Sequence, residues 1–208
     1  GRALTPAAPT PADQNTQRDE HASEVYLRDH VSLSSGWSVW AGLRHVRLDR
    51  AAERTNGSRA TRYAQRFTTP WLAVGLDLAP GHLAYASWGR GAESEVAPNR
   101  ARYANAGEAL APLKSRQVEI GWKGQFEVRQ SGRLAMQAAL FDIRRPVSAS
   151  REVVAGGCAT DSPAAGCVLA FDGEARHRGA ELSAQWDAQA WQAGGSLMAL
   201  DARREGSA

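Results

Sequence analysis

The sequence predicts an all-β chain: an antiparallel up-and-down transmembrane β-barrel segment of about eight strands that leaves its barrel incomplete. Three observations predict it. Apolar and polar side chains alternate along successive segments. The connections between segments are alternately tight and long. No apolar run reaches about 18 residues, so no transmembrane helix is expected, yet a barrel strand needs only about 9–11 residues.

The opening stretch, residues 1–19, is rich in Ala, Pro and Thr and reads as a flexible lead-in, with residues 20–208 forming the barrel portion. Within that portion the strands are expected at residues 20–33, 37–49, 67–78, 82–90, 115–129, 133–144, 175–186 and 191–203. Turn-forming residues join them in pairs at 34–36, 79–81, 130–132 and 187–190. The other connections, 50–66, 91–114 and 145–174, are long and rich in polar or small residues. Tight turns at one end and long loops at the other mark a meander. Outer-membrane barrels put short turns on the periplasmic side and long loops outside.

Alternation is clearest in the fifth strand. Val118, Ile120, Trp122, Phe126 and Val128 share one face, and Gln117, Glu119, Lys123, Gln125, Glu127 and Arg129 share the other. In the seventh, Ala180, Leu182, Ala184 and Trp186 oppose Glu181, Ser183, Gln185 and Asp187. Val118, Ile120, Trp122, Leu182 and Trp186 are therefore expected to face lipid. The second strand is less regular. Its apolar parity changes from Val39, Ala41 and Leu43 to Val46 and Leu48, which suggests a bulge or the wet end of the strand. Trp37, Trp186 and Trp191 flank tight turns, as an interfacial girdle would, and Trp71 and Trp88 lie near the long-loop ends.

The net charge of +3, from 25 basic and 22 acidic residues, is too balanced to argue for nucleic acid. Lys114 and Lys123 are the only lysines; every other basic residue counted is Arg, whose planar fork suits lipopolysaccharide phosphates or an anionic ligand at an outer rim. Cys158 and Cys167 sit in the stretch GGCATDSPAAGC, a spacing that suggests a local disulfide in an oxidising compartment. No nucleophile elbow, phosphate loop or dinucleotide fingerprint is present. The five histidines are scattered, and no pair of carboxylates is placed for acid–base work. An enzyme is therefore not expected, and binding or transport is. Aromatic and Arg side chains near the outer mouth are the candidate ligand contacts: Tyr63, Trp88, Arg90, Tyr103 and Arg145.

Several phrases resemble the barrel of TonB-dependent siderophore receptors. EVYLRDHVSLSSGWSVWAGLRHVRLD is similar to that family's hairpin, with Tyr26, Asp29, Trp37, Gly42 and Arg44 at the matching places. GHLAYASWGRG, LKSRQVEIGWKGQF, LAMQAALFDIRRPV, RHRGAELSAQW and the final Leu200-Asp201-Ala202 follow in the family's order. The resemblance implies uptake of ferric siderophores across the outer membrane of a Gram-negative bacterium. Iron would travel within the ligand, with no cofactor in the protein. It implies a barrel of about 22 strands closed by an N-terminal plug, through which the TonB–ExbB–ExbD complex supplies energy. Plug and C-terminal strands are expected to lie outside these 208 residues. Lipid and lipopolysaccharide would be the surrounding partners. Within the class, cobalamin, haem or a glycan would be alternative cargoes. Outside it stand a passive porin or adhesin barrel and a soluble carbohydrate-binding β-sandwich. A porin would be expected to carry a constriction loop, and no such loop is read from the sequence.

Overall fold

The computed structural model describes residues 16–55, 57–128, 132–159 and 165–206. The expected turn residues Gln130 and Ser131, the strand end at Arg129 and the first 15 residues of the lead-in lie outside them. The chain forms one sheet of eight antiparallel strands in strict sequence order. These are β1 (Thr16–Ser32), β2 (Trp37–Arg54), β3 (Thr61–Ala79), β4 (His82–Glu93), β5 (Leu113–Val128), β6 (Gly132–Glu152), β7 (Cys167–Asp187) and β8 (Gln192–Glu205). A single 3-10 turn, Ser34–Gly36, is the helical element among the described residues. The sheet does not close, so β1 and β8 each keep one unpaired edge.

The turn chemistry explains the hairpins. Between β3 and β4, Ala79 pairs with His82 across Pro80-Gly81. Proline presets the first turn position, and Gly81 takes the left-handed second one at φ +77°. The register shifts between Asp77 and Ala79 as the strand enters that turn.

Register carries the two-faced character from strand to strand. Val31, Val39, Val74, Ala86, Ile120, Leu140, Ala180 and Ala199 form one continuous row across all eight strands. Parallel rows run through Leu72, Trp88 and Val118, and through Leu76, Ala84, Trp122, Ala138, Leu182 and Leu197. These side chains are not covered: Ile120 is 53% exposed and Leu197 71%. A sheet with an open apolar face cannot stand in water at this scale, so something apolar must lie against it. Along β5 the belt extends from Val118 to Phe126. About nine residues at about 3.3 Å each, tilted about 40°, span roughly 23 Å, close to the apolar band of an outer-membrane barrel.

Several strands are longer at the loop end than their sequence pattern suggests. β2 continues to Arg54 and β3 begins at Thr61, so most of the expected loop 50–66 is paired sheet. Likewise β6 runs to Glu152 and β7 starts at Cys167, narrowing the expected loop 145–174 to residues 153–166. These extensions rise beyond the apolar belt, where the alternation that marks a strand fades. The parity change in β2 is not a bulge, because β2 keeps an unbroken register with both neighbours from Ser38 to Ala52. Val46 and Leu48 point to the opposite face and are buried there at 5% and 6% exposure.

Candidate functional site

The face opposite the belt is polar and carries aromatic side chains among charges. On β4 and β5, Tyr85 Oη donates to Glu119 Oε1 at 2.7 Å, and Gln117 Nε2 donates to the same carboxylate at 3.1 Å. Lys123 Nζ lies 5.4 Å from the centre of the Tyr85 ring. On β1 and β2, His30 stacks on Trp40 at 4.8 Å, and Arg44 pairs with Glu24. Toward the turn end, an open groove of about 680 Å³ is lined on this face by Lys123, Gln125, Gln137, Ser183, Gln185 and Ser196.

At the loop end, residues 94–112 do not project away from the sheet. They fold back over it, held first by an internal bridge between Val96 and Ala109. Gln65 Nε2 donates to the Leu110 carbonyl, and Tyr63 Oη is 3.4 Å from Ser94 Oγ. This contact covers the part of β2 and β3 where Val46, Leu48 and Gln65 are buried, and so accounts for the parity change. An inward-folded loop is therefore present, where none was expected.

The same loop is tied to the β6–β7 hairpin. Asn105 brackets Leu169, with Nδ2 donating to its carbonyl at 2.8 Å and Oδ1 accepting from its N–H at 3.1 Å. Tyr103 bridges to Cys167 in parallel. The Ala104 N–H donates to the Cys167 carbonyl at 2.7 Å, and the Cys167 N–H to the Arg102 carbonyl at 2.8 Å. Cys158 and Cys167 form a disulfide with an S–S distance of 1.99 Å. Cys167 opens β7 rather than sitting within the loop, so the bridge joins loop to strand. It thereby fixes the backbone against which residues 101–104 pair.

The five candidate ligand residues fall into two groups. Tyr63, Tyr103 and Arg145 gather at the loop end, around residues 94–112. Tyr63 lies beneath that loop, with the Arg50 guanidinium 5.5 Å from its ring centre. Tyr103 is only 7% exposed and its hydroxyl is 2.7 Å from Ser150 Oγ. Arg145 pairs with Glu93 at 2.6 Å. Trp88 and Arg90 instead share the face of Val118, through the pairs Trp88–Val118 and Arg90–Arg116. The Arg90 guanidinium lies 5.7 Å from the Trp88 ring. Val118, Ile120, Trp122, Leu182 and Trp186 all fall on that apolar face by register.

Above the belt on that face lies a charged band. Asp142 pairs with Arg176 at 2.6 Å, Arg178 at 2.9 Å and Arg144 at 3.5 Å, and Arg203 pairs with Asp201 at 2.9 Å. Toward the turn end, His82 packs on Trp122 and Phe126, and Trp186 meets Trp191 edge to face at 4.7 Å. Among the described residues, no cluster of three His, Cys, Asp or Glu side chains is placed to hold a metal ion. Asn105, Gln65 and Tyr85 escaped the sequence reading. Only Gln65 had a signal there, since it pairs with the out-of-phase Leu48.

A family model described as TonB dependent receptor-like, beta-barrel, matches residues 1–207. Solved structures of the same fold include the ferric preacinetobactin receptor BauA of Acinetobacter baumannii, at 23% identity and a TM-score of 0.68, covering 90% of this chain and 26% of that one. The siderophore receptor PiuA of the same species aligns at 17% identity and TM-score 0.71, covering 92% and 27%. The alcaligin outer-membrane receptor FauA of Bordetella pertussis aligns at 20% and 0.69, covering 93% and 32%. The chain thus spans between about a quarter and a third of the length of these structures. No curated protein matches it.

Proposed function

Because the chain belongs to the TonB-dependent receptor β-barrel family, we propose that it forms part of the barrel wall of an outer-membrane receptor that takes up ferric siderophores. The observation that carries this reading is the division of one sheet into a face with an apolar belt across all eight strands and a polar face capped by residues 94–112. The apolar face would meet lipid, with Val118, Ile120, Trp122, Leu182 and Trp186 in the bilayer. Trp88 and Arg90 would sit at the outer lipid interface and not in the ligand path. The band around Asp142 and Arg178 would meet lipopolysaccharide head groups.

The polar face would surround a plug domain, whose groups would pair with the amides and hydroxyls of the groove near Gln137 and Ser183. Through that plug the TonB–ExbB–ExbD complex would supply energy. Tyr63 and Arg145 would meet the incoming chelate at the mouth, while Tyr103 would hold the loop in place. Siderophore cargo is inferred from the ferric preacinetobactin, siderophore and alcaligin receptors that share the fold.

The test is uptake of radioactive iron from purified ferric siderophores by cells with and without the receptor gene. Loss of uptake on deletion, and loss on collapsing the proton-motive force, is the expected result. Deletion without effect on any ferric siderophore would refute the cargo. Uptake that survives a protonophore would indicate a passive pore instead.

A further inference from the structure

Residues 94–112 leave the sheet at β4 and re-enter it at β5, yet they are tied to the hairpins on either side. Toward β2 and β3, Asn99 Nδ2 donates to the Arg59 carbonyl at 2.5 Å, and the Arg54 guanidinium donates to the Asn99 carbonyl at 3.3 Å. Gly107 packs on β3 so closely that a Cβ there would run into the Thr61 methyl. Toward β6 and β7, the Ala165 N–H donates to the Ala101 carbonyl at 2.9 Å, beside the pairing of residues 102–104 with Cys167. Ser148 Oγ donates to Glu95 Oε1 at 2.5 Å, and the Arg102 guanidinium to the Ala159 carbonyl at 3.4 Å. The segment is thus a strap that joins two hairpins lying on opposite sides of β4 and β5.

A lid that opens needs free hinges at its stems and few buried contacts. The strap meets neither condition. Its stems are joined to each other, with the Leu110 N–H donating to the Glu95 carbonyl and the Ala97 N–H to the Glu108 carbonyl, both at 2.9 Å. Ala97, Tyr103 and Cys167 are buried. The strand that receives the strap is fixed in turn by the Cys158–Cys167 disulfide. Five hydrogen bonds hold the β7 side, those of the Ala104, Cys167 and Ala165 amides and the two of Asn105. At roughly fivefold each in the opening equilibrium, they alone keep an open form below about one part in a thousand.

We propose that residues 94–112 and the loop ends of the β2–β3 and β6–β7 hairpins form one fixed canopy that stays closed during uptake, so that the loops which open for a chelate belong to the rest of the barrel. The canopy is a property of the folded wall, whereas its part in uptake rests on the reading of the chain as a siderophore receptor.

Hydrogen exchange of the assembled receptor in detergent, read residue by residue, tests the canopy. The amides of Ala97, Ala104, Gly107, Leu110 and Cys167 should exchange at least about 1,000-fold more slowly than unstructured amides. Asn105→Ala removes two bonds and should speed that exchange about 25-fold. The effect should be as large at Gly57, Ala97 and Leu110 as at Ala104, because one body opens as a whole, while the amides of residues 117–122 are unmoved. Exchange in the parent as fast as in an unstructured loop, or a variant effect confined to the neighbours of Asn105, would overturn the canopy. Its part in uptake is tested with Arg59→Cys and Asn99→Cys, joined on intact cells by a short bismaleimide. Iron uptake equal to that of unlinked cells is expected, and loss of uptake on linking would show that the canopy must open. Slow exchange in a receptor that takes up no ferric siderophore removes the transport reading alone, whereas fast exchange beside intact uptake removes the canopy alone.

Discussion

Ile120→Arg places a guanidinium within the apolar belt. Ile120 stands between Val118 and Trp122 along β5, opposite Ala86 on one side and Leu140 on the other. The next residues in its row are Val74 and Ala180, and the nearest acid on this face, Asp142, lies diagonally across on β6 opposite Val118, where Arg176 and Arg178 already engage it. Its side chain is 53% exposed in the chain, which in the membrane is contact with lipid. An arginine on a barrel's lipid face costs about 2–4 kcal/mol at the mid-plane and about 0–1 kcal/mol at the interfaces, so about 1–3 kcal/mol is expected here, or roughly 5- to 150-fold in the folding equilibrium. The control is Gln117→Arg on the same strand, whose side chain points to the polar face, where the cost should be within about 0.5 kcal/mol. Urea titration of the receptor's folding into phospholipid vesicles, followed by tryptophan fluorescence, measures both. Equal stability of the two variants, or a greater loss in Gln117→Arg, would refute the assignment of faces.

Cys158→Ser releases a loop closed across a sequence separation of 9. The lost constraint is worth about 2–3 kcal/mol on the chain-entropy model, and it should act locally: residues 94–112 and 153–166 become sensitive to brief proteolysis while strand pairing persists. Unchanged cleavage would show that Asn105 and Tyr103 hold the cap unaided. Gly121→Val adds a side chain where a Cβ would lie 2.6 Å from Tyr85 Oη. The ring must move and its bond to Glu119 is lost, for a destabilisation of about 1–3 kcal/mol in the same vesicle assay; a stability equal to the parent would mean the polar face is looser than the structure shows.

The parts of the fold that were legible in the sequence are those where one face alone is apolar. β5 is the clearest, since Val118, Ile120 and Trp122 alternate with Gln117, Glu119 and Lys123 and no other element covers either side. Where a strand leaves the belt, water or loop lies on both faces and the period-two signal fades, so the loop-end parts of β2, β3, β6 and β7 read as loops. Val46 and Leu48 looked irregular because the residues that bury them come from a segment far along the chain. The inward fold of residues 94–112 was not legible at all: it is held by main-chain bonds at Cys167 and by the Asn105 amide, which no local pattern announces. Trp88 and Arg90 were singled out by residue type. Their parity with Ala84 and Ala86 already put them on the apolar side. The arginines that gather between β1, β2, β3 and residues 94–112 were missed for the opposite reason. Arg18, Arg54 and Arg100 belong to three segments that only the register of β1 with β2, and the returning loop, bring together.

Site-directed spin labels placed singly at residues 117 to 122 of β5, in the receptor reconstituted in phospholipid vesicles, test the lipid-facing wall most directly. The native cysteines are joined to each other and do not compete for the label. Relaxation by oxygen, which concentrates in the acyl chains, should dominate at 118, 120 and 122. Relaxation by a water-soluble nickel chelate should be greater at 117, 119 and 121. A flat profile across the six positions, or the opposite phase, would contradict a barrel wall with this face in the bilayer.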